Sequence, residues 1–117
     1  MTFKEFLSHC TACGGNWSAM IMTGIKEVAP DLHEKMPDRS YAFDEVCFIA
    51  NHLCSDRPHF RYNLSIETGR MLEYTADGML VDRESTAEER NMTLREFYTK
   101  MNGMSEEEYN KGVLGND

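Results

Sequence analysis

Ser8 to Trp17 reads SHCTACGGNW, which sets His9, Cys10 and Cys13 together and follows the C-x-x-C pair with Gly14 and Gly15. Two chemistries use such a stretch. In a zinc knuckle the pair and the glycine turn point sulfurs and backbone amides at the metal, and Cys47, His52 or Cys54 would have to complete the ligand set. In a redox site one thiol is activated by a lowered pKa. The spacing favours neither. Tetrahedral structural sites use two compact ligand pairs, whereas Cys47 and Cys54 have six residues between them, and His52 and Cys54 cannot easily aim at one metal from within a helix. The C-x-x-C falls in the last turn of an expected helix, where the dipole opposes a thiolate, and no strand precedes it to make a thioredoxin-like unit. Cys10, Cys13, Cys47 and Cys54 all sit on apolar stripes, and free cysteine is among the most buried residue types. Core packing is therefore the expectation for all four. A zinc-binding or thiol protein using Cys10 and Cys13 is the alternative.

The other candidates are weaker. His9, His33, His52 and His59 show no H-x-x-x-H spacing, and Asp44 with Glu45 opens a helix, where capping and the helix dipole account for both. There is no phosphate-binding glycine loop and no G-x-S-x-G nucleophile elbow. Gly14-Gly15 precedes a helix but follows no strand. Glu106, Glu107 and Glu108 form an acidic run that could imitate phosphates as an acidic DNA mimic, or could simply be the acids that a helix N-terminus prefers. No catalytic residue and no cofactor site is assigned.

The elements that must position these residues follow from periodicity and capping. Thr2 and Glu5 form a capping box, and Phe3, Phe6, Leu7, Cys10 and Cys13 recur at helical spacing, which predicts a helix over 3–12. Asn16 caps a second helix with Trp17, Met20, Ile21, Ile25 and Val28 on one face, ending before Pro30. PDLHEKMPD is a helical turn between prolines. A third helix over 42–53 places Phe43, Val46, Cys47, Ala50, Leu53 and Cys54 on one stripe. The period then changes to two: Phe60, Tyr62, Leu64 and Ile66 alternate with polar residues. Pairing Glu67 with Met71 sets Leu64 beside Tyr74 on one apolar face, with Arg61, Asn63, Ser65 and Glu73 on the wet side. A two-residue Asp77-Gly78 turn sets Tyr74 beside Val81. The prediction is a three-stranded antiparallel meander over 59–82. RESTAEERN reads as a connector or a frayed helical turn, Thr93/Glu96 and Ser105/Glu108 are further capping boxes for two short helices, and GVLGND is a frayed tail.

At 117 residues the chain fits one α+β domain spanning 1–117, with N-terminal and C-terminal helices packed on the apolar face of the meander. A formal charge of -8, spread along the chain, argues against nucleic acid as a partner. No membrane-length or secretory apolar run is present, so a cytoplasmic location with reduced thiols is expected. MTFKEFL and MTLREFY look alike for seven residues only, as repeated use of one capping rule would produce. TFKEFLSHCTACGGNW with the following TGIKEV resembles short uncharacterised proteins of bacterial mobile genetic elements. That resemblance implies an accessory role and brings no activity or site. A three-stranded sheet has two edges, which pair with a protein partner or a second copy unless helices or loops cover them. A non-enzymatic interaction or regulatory protein is the function expected.

Overall fold

The computed structural model describes residues 1–111; GVLGND, read above as a tail, lies outside them. Helix α1 spans Phe3–Leu7, and the Thr2 hydroxyl accepts from Glu5 N at 3.1 Å while Glu5 Oε1 accepts from Thr2 N at 2.7 Å. The helix is five residues shorter than its spacing suggests, because His9 N and Cys10 N bond back to Phe6 and Leu7 in tighter i→i+3 turns. Thr11 N then donates to Thr23 Oγ1 at 2.7 Å and draws the chain onto α2 (Trp17–Val28). Asn16 caps α2 as expected, its Oδ1 accepting from Ala19 N. The buried face of α2 is Ile21, Gly24 and Ile25, while Trp17, expected on that face, is exposed. Helix α3 (Pro30–Lys35) begins on Pro30, and α4 (Phe43–Asn51) buries Val46, Phe48, Ile49 and Ala50. Phe43 is exposed and Cys47 half-buried, so the core stripe of α4 lies to one side of the one expected.

The sheet is an antiparallel meander in the order β1-β2-β3, with β1 at Tyr62–Leu64, β2 at Arg70–Tyr74 and β3 at Leu80–Glu84. Both registers differ from the expected ones by an odd number of residues, which moves side chains to the opposite face. Leu64 pairs with Met71, not with Tyr74, because Ser65 N donates to Arg70 O and residues 66–69 form the loop. At the second hairpin Tyr74 pairs with Leu80. The loop there holds three residues because Gly78 adopts φ 81° and Thr75 Oγ1 accepts from Met79 N while its hydroxyl donates to Asp77.

Helices consequently cover both faces, not one. Leu72, Tyr74 and Leu80 join the core formed by α1, α2 and α4. Ser65, expected on a wet face, is fully buried and donates to Asp44 Oδ1 at 3.1 Å, and Asn63 donates to Asp44 Oδ2. Met71, adjacent to Leu72 and equally buried, lies on the other face, where Arg83 meets Glu89 and Leu64 shares a small cavity with Phe97 and Tyr98. RESTAEERN contributes the end of β3 and a capped turn, α5 (Ala87–Arg90), from the capping box Thr86/Glu89. Helix α6 (Leu94–Glu96) runs into a π-helical turn at Phe97–Met101, and α7 is Glu106–Asn110.

Candidate functional site

A strand exposes alternate N–H and C=O groups at its free edge. At β1, Tyr74 N donates to Arg61 O and Ser65 N to Arg70 O, so Tyr62 and Leu64 turn their backbone groups away from β2. The Asn102 side chain answers Tyr62: its Oδ1 accepts from Tyr62 N at 2.8 Å and its Nδ2 donates to Tyr62 O at 3.2 Å. One carboxamide thus occupies the place of a fourth strand. Asn102 stands there because the π-helical turn ends on it, with Asn102 N donating to Phe97 O.

At β3, Thr75 N donates to Met79 O and Ser85 N to Gly69 O, and the alternation between these ends turns Leu80, Asp82 and Glu84 outward. Arg83 donates to Glu84 O. Among the described residues nothing bonds the outward backbone groups of Leu80 and Asp82. Beside them lies a trough of about 460 Å³ between β3 and α3, lined by Leu32, Met36, Pro37, Met79 and Leu80, with Lys35 and Asp82.

The inner side of β3 is anchored by charge. Arg39 Nε donates to Asp82 Oδ2 at 2.7 Å, its terminal nitrogens donate to both oxygens of the fully buried Glu45, and Arg70 Nε donates to Asp82 Oδ1 at 2.6 Å. Ala42 N donates to Glu45 Oε1, and the Arg39 guanidinium stacks on Tyr41. Burial opposes the Asp82 charge, but the two arginine bonds outweigh it and hold its carboxyl below the usual range; desolvation likewise opposes the Arg39 charge, and its bonds to Glu45 and Asp82 raise its pKa nonetheless. Two arginines and two carboxylates therefore cancel within this network. Glu45, read from sequence as a cap, does cap α4 through Ala42 N and also ends the ion chain Glu45–Arg39–Asp82–Arg70.

The cysteines are all free. Cys10 packs against Phe6 and Gly24, where a Cβ on Gly24 would meet Cys10 Sγ at 2.5 Å. Cys13 does not continue its stripe; its thiol donates to Thr11 O, and Gly14 and Gly15 carry the chain through left-handed φ into α2. Among the described residues no three His, Cys, Asp or Glu side chains converge as a metal site would need. Burial raises the thiol pKa of Cys10 and Cys54 and pushes Cys47 up to about 11, against the direction a nucleophilic thiolate requires. His9 bonds Glu27. His52 and His59 each bond one backbone carbonyl, and the His52 ring stacks on Tyr74 at 3.9 Å. Burial lowers the pKa of His52 and raises that of Tyr74 to about 12. In the acidic run, Glu106 pairs with Arg95, Glu107 with Lys111, and Glu108 accepts from Ser105 N in the cap of α7.

No protein-family model matches the chain, and neither does any curated protein or solved structure. Among the described residues the two sheet edges are chemically unlike, one bonded by a side chain and the other open. Alternation and turns imply that two edges exist but not that they differ. The one local signal was Pro37-Asp38-Arg39, a turn that carries an arginine toward the sheet. Among the described residues no helix is long and apolar enough to cross a membrane.

Proposed function

We propose that the protein is a non-enzymatic interaction module that binds an extended segment of a protein partner by strand addition at β3. The observation that carries this reading is the pair of unpartnered backbone faces of Leu80 and Asp82 beside the α3 trough. Strand addition takes main-chain hydrogen bonds for affinity and side-chain pockets for selectivity, and this edge offers both. Its geometry is held from within by Arg39 and Arg70, so little ordering is needed on binding. With few bonds and one trough, the affinity expected for a short segment is on the order of micromolar.

The groove at the opposite edge is a poorer candidate. Ile66 is 93% exposed and Leu94 66% exposed around cavities of about 170 and 270 Å³, but Asn102 already occupies the Tyr62 edge and leaves only Leu64 to pair. Selection of displayed random heptapeptides on the protein, followed by amide exchange of the bound complexes, tests the reading. Bound peptides are expected to protect the Leu80 and Asp82 amides. Peptides that protect the Leu64 to Leu94 surface instead, or no enrichment, contradict it.

A further inference from the structure

We infer that the β3 trough takes an extended segment with aliphatic side chains at alternate positions and lysine or arginine at its ends; this rests on the strand-addition reading of the same edge. Side chains of an added strand alternate between the two faces of the sheet. Those turned toward α3 enter the trough, whose walls are Leu32, Met36, Pro37 and Leu80. Asp82 offers no free charge to them, because its two carboxylate oxygens are held by Arg39 and Arg70. An uncharged aliphatic side chain therefore gains burial there, whereas a charged one would lose hydration without finding a partner. The intervening side chains lie over Val81, which is exposed, and beside Arg83, whose guanidinium is already bound to Glu89. Small polar residues are tolerated at those positions.

Charge selects the ends. Asp77 precedes the lining residue Gly78, Asp38 follows the lining residue Pro37, and Glu84 stands two positions beyond Asp82. None of these three carboxylates forms an ion pair among the described residues, and Lys35 is the one basic residue in the lining. The local excess is negative and has the same sign as the formal charge of -8. A basic segment is thus steered in and held, while an acidic segment, or a second copy bringing the same carboxylates, is repelled.

Four fluorescein-labelled, N-acetylated and C-amidated peptides test the inference by titration. The first is Lys-Val-Ser-Val-Ser-Val-Lys, the second has the same composition with its valines contiguous, the third has glutamate at both ends, and the fourth is the first with all its valine and serine amides N-methylated, which removes the donors for either strand direction. The first is expected to bind. The contiguous-valine peptide should bind at least about tenfold more weakly through lost burial. The glutamate-ended peptide should bind about threefold to tenfold more weakly at low salt, with the gap closing near ~0.5 M salt. Equal affinities among the first three overturn the proposed segment chemistry. Strand addition still stands in that case if N-methylation abolishes binding. Binding unchanged by N-methylation overturns the strand-addition reading itself. If none of the four binds while displayed peptides still protect Leu80 and Asp82, the segment chemistry alone is wrong.

Discussion

At β1 the outward N–H and C=O of Tyr62 meet the Asn102 carboxamide at 2.8 and 3.2 Å, whereas at β3 the same groups of Leu80 and Asp82 face an apolar trough. The strands also differ in length, three residues against five. Proteins blunt sheet edges because an open edge templates association, and here the shorter strand is the blunted one. The longer, unblunted strand is instead fixed on its inner side by the Arg39, Glu45, Asp82 and Arg70 network. An edge that is rigidly held but left unpaired is suited to accept a strand, and one already paired with a side chain is not.

Breaking the inner anchor should have the largest effect. Arg39→Met leaves Glu45 buried without its cation and removes one of the two arginines on Asp82, which should cost about 3 to 5 kcal/mol in urea unfolding. A loss below about 1 kcal/mol would mean that the network does not hold β3. Asn102→Ala should cost about 1 to 2 kcal/mol by freeing the Tyr62 groups. It should also convert β1 into a second open edge, visible in sedimentation as concentration-dependent association stronger than that of the wild type.

Acid tests the far end of β3, where Arg83 grips Glu89. The hydrogen bonds from Arg83, assisted by Thr86, hold the Glu89 carboxyl down to about 2 from an ordinary 4.5. The folded state therefore binds fewer protons than the unfolded one. This contribution is full above pH 4.5 and is lost as pH falls toward 2. After allowance for solvent screening, about 1 to 2 kcal/mol should disappear over that window, and Arg83→Met should flatten the profile there. Glu84→Pro should have the smallest effect on stability, within about 0.5 kcal/mol, because the Glu84 amide points outward and carries no ladder bond. The same substitution should nevertheless weaken peptide capture at β3.

Short-range chemistry was legible in the amino-acid order, and long-range chemistry was not. Thr2/Glu5, Thr93/Glu96 and Ser105/Glu108 act within one turn, and each box forms where its spacing places it. Thr86/Glu89 obeys the same rule but was hidden by the surrounding charges, which read as a connector or a frayed helical turn with no box assigned. The three strands and their antiparallel order follow from alternation and turns. Their registers depend on Thr75 Oγ1 and on how residues 66–69 close, neither of which alternation encodes. Arg39 and Asp82 are 43 residues apart, and both are charged, so neither looked like interior material. Asn102 could not be linked to Tyr62 without knowing that a π-helical turn delivers it to the strand.

Amide hydrogen exchange of the free protein, resolved by residue, tests the contrast between the two edges most directly. Tyr62 N–H, bonded to Asn102, should exchange at least about a hundredfold more slowly than the Leu80 and Asp82 amides, which should be close to unprotected. Comparable protection of all three amides would contradict the account, because β3 would then have no open edge to offer a partner.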